Sequence, residues 1–214
     1  MPTLAPHIFA VRSRSDLVLM DVRGDGYLLL VDAVSEAQDA PLLHPIGVPL
    51  VAEALEALRA ADMIGDLPAG SNAAVTKPRS VLTTDRVGGR VDALKASVDL
   101  LLALAGAGRR MRLGLPCRNY RDRRSVGAGC LMAVLDASLA LEAARLAIPT
   151  PRRCLPASLV TSLFLRRRGI ASEIVFGVRT HPFAAHCWVE VGGVVVGDVL
   201  ERVAAYTPIC VADA

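Results

Sequence analysis

The stretch from Cys154 to Asp198 leaves little freedom in how it folds. Leu155, Leu159 and Leu163, interleaved with Val160 and Phe164, form an apolar stripe at helical spacing. Arg166, Arg167 and Arg168 supply cations for a last turn, and Gly169 stands just past it as a stop signal. At the other end Thr150-Pro151 closes whatever precedes, and Pro156 is tolerated only in a first turn, so the helix starts near Cys154. Beyond Gly169 the pattern changes. Ser172–Val178 and Phe183–Val191 are rich in Ile, Val and Phe and are separated by Arg179-Thr180-His181-Pro182, which predicts two strands joined by a short turn, with Val194–Asp198 as a third.

The same stretch carries chemistry. Cys154 falls at a helix N-terminus, where unpaired N–H groups and the positive end of the dipole favour a thiolate. Strand alternation puts Ala184, His186, Trp188 and Glu190 on one face and Cys187 on the other. Whether Asp198 serves His186 depends on the turn before the third strand. A two-residue Gly192-Gly193 turn would pair Asp198 with Cys187, on the wrong face. A three-residue loop of Val191-Gly192-Gly193, with Gly193 left-handed in a bulge, pairs it with His186. Directly opposed residues have Cβ atoms about 4.5–5.5 Å apart, within reach of a carboxylate–imidazole hydrogen bond, and this second register is the expected one. Singly, a buried cysteine is usually a small hydrophobe and a strand histidine a satisfied core residue. Together, on a helix start, a strand and the next strand, Cys154, His186 and Asp198 form a nucleophile, a base and an orienting acid.

Cys154-Leu155, Gly169-Ile170, Gly177-Val178-Arg179, the block Pro182-Phe183-Ala184-Ala185-His186-x-Trp188-Val189-Glu190-Val191 and the closing Asp198 resemble the leader peptidase of lasso-peptide biosynthesis, the B protein. That family is a branch of the transglutaminase-like, papain-like cysteine enzymes, and the likeness is dense over about residues 126–200. It implies hydrolytic removal of a leader from a ribosomally made precursor, with Cys154 as nucleophile, His186 as base and Asp198 as orienter. Pro156-Ala157 departs from the basic or polar residue that many members carry there, which bears on first-turn substrate contacts and not on the triad. The triad requires no cofactor, and a nucleotide requirement is left open. The precursor leader is the implied partner, and the cyclase that acts next in such pathways is a further candidate. Two other readings stand beside this one: acyl transfer to an amine, as in transglutaminases, and a non-catalytic protein that only presents the precursor.

Upstream, three short strands are expected at His7–Arg12, Leu17–Val22 and Tyr27–Val31, with Asp16 and Arg23-Gly24-Asp25-Gly26 in the turns. A small helix is expected over Ala33–Gln38 and a firmer one over Leu50–Met63, after the breakers Pro41, Pro45 and Pro49. Residues 65–90, rich in Gly, Pro, Ser and Thr, read as a linker. Helices follow over Val91–Ala107 and Val126–Ala147. Between them Arg109–Arg124 carries seven arginines and reads as a solvated loop, with a site for an acidic leader or a nucleotide phosphate as the alternative. Val199–Ala214 shows too little pattern to assign.

The expected architecture is therefore α+β. A small winged-helix-like domain of three strands plus helices spans 1–64, and a papain- or transglutaminase-like cysteine-protease domain with an antiparallel sheet spans 91–214. Strands followed by helices resemble the peptide-recognition domain of ribosomal-peptide maturation enzymes, where the leader adds as a strand to the third strand's edge. By that precedent Tyr27, Leu28, Leu29, Leu30 and Val31 bind the leader against Leu50–Met63, with Trp188 as a substrate contact on the catalytic side. A structural cap on the catalytic half is the alternative.

Bulk properties narrow the partners. A net charge of +3 is too small to argue for nucleic acid. The apolar runs are broken by Lys95, Asp99, Asp136 or Glu142 before reaching a membrane-spanning length. MPTLAPHIFAVR lacks the basic, apolar and cleavage regions of an export signal, and five cysteines is an odd number, so a reducing cytoplasm is expected rather than a disulfide framework. No Cys or His spacing fits a zinc site, so no metal is expected.

Overall fold

The computed structural model describes residues 2–37, 39–44, 46–65, 80–81, 92–120 and 128–213. After a short β1 (Thr3–Leu4), the first three expected runs form an antiparallel meander of β2 (Ile8–Ser13), β3 (Asp16–Asp21) and β4 (Gly26–Leu30). Alternation divides their side chains between two cores. Ile8, Ala10, Leu17 and Leu19 face a cluster with Leu43, Leu50, Ala54 and Leu58, whereas Phe9, Val11, Val18 and Met20 face the main core. A sheet buried on both faces gives near-continuous apolar runs, which is how Ile8–Val11 and Leu17–Met20 read.

The helix expected at Ala33–Gln38 does not form. Val34 bridges Leu50 instead, and its N–H bonds to the Ser15 carbonyl, so the backbone stays extended there; Gln38 lies outside the described residues. The hairpin of β5 (Leu42–Leu43) and β6 (Val48–Pro49) leads to α1 (Ala52–Ala60), shorter than the expected Leu50–Met63 because Leu50 is held in that bridge and Val51 is the extended N-cap. A two-residue β7 (Ile64–Gly65) then pairs with β1. Of the expected linker, Ser80–Val81 is a strand, β8; residues 66–79 and 82–91 lie outside the described set.

α2 (Ala93–Leu113) starts where the Asp92 side chain accepts the Lys95 N–H, and ends at Gly114 with φ +79°. It thus takes in Arg109, Arg110 and Arg112, and β9 (Cys117–Asn119) follows, so helix and strand replace the solvated loop expected over Arg109–Arg124 in most of its described part; residues 121–124 lie outside the described set. The remaining elements are α3 (Ala128–Arg145), α4 (Cys154–Arg167), β10 (Glu173–Arg179), β11 (Ala184–Val191), β12 (Val194–Val196), α5 (Leu200–Val203) and β13 (Thr207–Asp213).

Small residues bring the helices together. Ala96, Leu100, Ala103 and Ala107 on α2 and Ala137, Ala140, Leu141 and Ala144 on α3 are buried in one core with Leu159, Val160, Phe164 and Leu165 of α4. The buried Asp99 of α2 takes Arg167 Nε at 3.1 Å and Arg168 Nη2 at 3.4 Å, tying α2 to the end of α4. Under α4 lies a six-stranded sheet in the order β8-β12-β11-β10-β13-β9, antiparallel except for the β12–β8 pair. Ile174, Phe176, Val178, Cys187 and Val189 lie in the core shared with the helices, while Val175, Trp188, Val195 and Val211 belong to a second cluster with Tyr120 and Val203. Two hydrogen bonds and a ring contact seat the β10–β11 turn on the N-terminal meander: His181 Nε2 to Asp16 Oδ2 at 2.9 Å, Ser13 Oγ to Thr180 Oγ1 at 3.1 Å, and Tyr27 edge-on to Phe183 at 5.8 Å.

Candidate active site

Cys154 is the first residue of α4, behind the extended N-cap Arg153, so its sulfur sits beside the unpaired N–H groups of a first turn. His186 lies on β11, directly opposite Gly177 of β10. Both line a cleft of about 340 Å³ with Asp198, Ser158, Thr161, Cys187 and Trp188.

The turn that precedes Asp198 is not the expected one. Val191 pairs with Val194 and Val189 with Val196, so Gly192-Gly193 is a tight two-residue turn, with φ of +56° and +84°. Continued as a strand, that register would put Asp198 opposite Cys187. It does not continue: β12 stops at Val196, and Gly197 takes φ +73°, a left-handed step that glycine makes without a Cβ clash. The step turns Asp198 back to the histidine, and His186 Nε2 donates to Asp198 Oδ2 at 2.6 Å. Asp198 Oδ1 accepts from the Val199 N–H at 2.7 Å and from Arg202 Nη1 at 3.3 Å.

The electrostatics follow from these contacts. Hydrogen bonds from the Cys187 thiol and from His186, then from the Cys187 backbone N–H, outweigh burial and bring the Cys154 thiol down to about 4. The hydrogen bond to Asp198, then the one with Cys154, raise His186 to about 9. Burial pushes Asp198 up, but the bonds from His186 and Val199 and the charges of His186 and Arg202 win, and its carboxyl lies below the usual range. The Cys187 thiol is pushed far up by its bond with Cys154 and by burial, so it stays protonated and donates. Between roughly pH 4 and 9 the resting state is a thiolate–imidazolium pair. With Nε2 given to Asp198, Nδ1 is the ring nitrogen left for the sulfur.

Packing holds the imidazole flat. It stacks on Trp188, with centroids 6.1 Å apart and planes at 28°, and Tyr206 lies 5.3 Å away on a tilt. Trp188, expected as a substrate contact, lines the cleft but is only 1 % exposed, and its indole N–H donates to Glu190 Oε1 at 2.7 Å. Gly177 leaves room for that ring: a Cβ there would lie 2.6 Å from Trp188 Cζ3 and Cη2. Gly177→Ala is therefore expected to displace Trp188, lower stability by about 1–3 kcal/mol, and weaken any activity that needs His186 in place. Thermal denaturation checks the first effect; an unchanged midpoint counts against this packing account.

Tyr27, Leu28, Leu29, Leu30 and Val31 do not line the cleft. The first four are on β4, which pairs with β3 on one edge and with no other strand among the described residues. Leu28 and Leu30 turn into the N-terminal cluster and Leu29 into the main core, while Tyr27 and Val31 are exposed. Sequence reasoning missed Cys187, although its parity, opposite to that of His186, is what turns it toward α4 and Cys154. It also missed Tyr206 and the cleft arginines Arg145, Arg152 and Arg202.

A thiol at a helix start facing an imidazole on a neighbouring strand is an arrangement met in papain-like folds. The sequence profile of the transglutaminase-like superfamily matches residues 94–211, more than half of the chain, and the chain belongs to that superfamily. A stretch of 45 residues is 49 % identical to the microcin J25-processing protein McjB of Escherichia coli, in support of the lasso-peptide resemblance. That match spans 21 % of this chain and 22 % of McjB. No solved structure matches the chain. Among the described residues no helix is long and apolar enough to cross a membrane.

Proposed function

We propose that this chain is a cysteine peptidase that cuts the leader from a ribosomally made lasso-peptide precursor. The observation that carries the reading is the His186–Asp198 hydrogen bond at 2.6 Å in the cleft that Cys154 also lines; the similarity to a microcin-processing protein supports the substrate class. The Cys154 thiolate attacks the scissile carbonyl, and the tetrahedral oxyanion sits against the N–H groups at the start of α4. His186 then passes its Nδ1 proton to the leaving amine, and a thioester remains. Neutral His186 takes a proton from water, the hydroxide displaces Cys154, and the ion pair is restored. Asp198 holds the ring orientation throughout. Mass spectrometry of a precursor encoded beside the gene tests the reaction: a fragment cut at one bond is expected, and a product carrying an added amine, or no change in mass, would overturn it.

The leader adds to the open edge of β4, whose backbone groups have no ladder partner on that side among the described residues. Domain boundaries at 64 and 91 belong to the same proposal, with the meander as recognition module and residues 91–214 as the catalytic part. Amide hydrogen exchange reads it directly. On addition of a synthetic leader peptide, the amides of residues 26–31 are expected to slow by about tenfold or more, and unaltered exchange there assigns the meander to a purely structural role.

A further inference from the structure

The cleft holds more positive charge than the triad accounts for. Its lining includes four cations, Arg145, Arg152, Arg202 and the His186 imidazolium, against two anions, Asp198 and the Cys154 thiolate. Arg202 is engaged by Asp198. Arg145, in the last turn of α3, donates Nη2 to Thr161 Oγ1 at 2.9 Å and Nη1 to Glu142 at 2.6 Å; its Nε is buried from solvent, so the N–H groups left for a ligand are the second ones on Nη1 and Nη2. Glu142 is 63 % exposed, so it neutralises Arg145 weakly. Arg152, two residues before Cys154, makes no ion pair or hydrogen bond with another described residue. Nor do these two guanidinium groups serve to activate the thiol, whose depression comes from Cys187 and His186.

Two incompletely matched guanidinium groups lining the cleft that holds Cys154 suit a planar anion that accepts paired N–H bonds. We infer that Arg145 and Arg152 form a carboxylate subsite beside Cys154, so that the preferred substrate peptide carries a carboxylate close to the scissile bond. This rests on the peptidase reading of the same cleft and specifies its substrate.

Alkylation of Cys154, followed by peptide mass mapping, tests the inference without a known precursor. Neutral iodoacetamide reports the thiolate. At pH 5 a thiol of pKa about 4 is almost fully ionised; after allowance for its lower nucleophilicity it should react on the order of 30-fold faster than a cysteine model peptide. Anionic iodoacetate reports the subsite. The iodoacetate-to-iodoacetamide rate ratio at Cys154 is expected to fall at least about fivefold in Arg152→Gln and further in the Arg145→Gln, Arg152→Gln double variant. Arg152 is exposed, so the single variant carries the test if the double variant fails to fold.

An unchanged ratio in folded Arg152→Gln overturns the subsite while fast iodoacetamide labelling keeps the nucleophile. Labelling no faster than the model peptide removes both. Protection of Cys154 by short N-acetylated peptides separates two sources of carboxylate, an internal Glu with an amidated end and a neutral peptide with a free C-terminus. Protection by either over the neutral amide supports the subsite, and equal protection by all three overturns it.

Discussion

Cys154→Ala is expected to abolish precursor cleavage, with a loss of at least about 10⁴-fold, while leaving the fold intact. Every bond-making step in the proposed mechanism passes through that sulfur, and among the described residues Cys187 is the one other thiol that lines the cleft. Cys187 lies beside it but is 3 % exposed and stays protonated, and Cys210 is fully buried. The substitution removes a partly buried atom at a helix start, so circular dichroism and thermal denaturation should show a native protein. Mass spectrometry of the precursor checks the loss. Retention of more than about one per cent of the wild-type rate by a folded variant would mean that the chain is not a thiol peptidase.

The second large effect is a narrowing of the pH range. Wild-type kcat/KM should rise as pH passes about 4, where Cys154 ionises, and fall as it passes about 9, where His186 loses the proton the leaving amine needs. Asp198→Asn removes the foremost cause of the raised His186 value. The alkaline limb should then move down toward the ordinary histidine value of about 6.5, and the acid limb should move up as the thiolate loses part of its cationic support. At neutral pH the expected loss is about 10²-fold. This is milder than the roughly 10⁴-fold cost of enforcing a wrong tautomer, because an asparagine oxygen can still accept from Nε2–H. A pH profile that keeps both limbs while only the plateau drops would show that Asp198 is not coupled to the titrating pair.

Much of this was legible in the sequence, for local reasons. Pro156 and Gly169 bracket α4 because proline is tolerated in a first turn and glycine readily takes the left-handed step past a last one, with φ +75° at Gly169, and the Val-rich runs around Gly192-Gly193 announce β11 and β12. The register was not legible. Two glycines in succession suit a two-residue turn and a bulged loop equally, and only the fold selects between them. The sequence argument expected His186 to meet Asp198 for the wrong backbone reason, since the contact comes from the left-handed Gly197 after a tight turn. Strand parity separated Cys187 from the imidazole correctly, yet parity alone does not say that the helix start lies on that other side. β13 escaped notice because Pro208–Ala212 is a short apolar run without alternation, as suits a strand flanked by β10 and β9.

β13 lies between β9 and β10, and β10 is the strand on which the His186-bearing β11 is laid. A growing chain that has reached Asp198 already holds every group of the proposed chemistry, but not the inner rib that keeps them in register. Competence therefore waits on residues 207–213, and a chain cut back before Thr207 should be inert without having lost a single reacting atom.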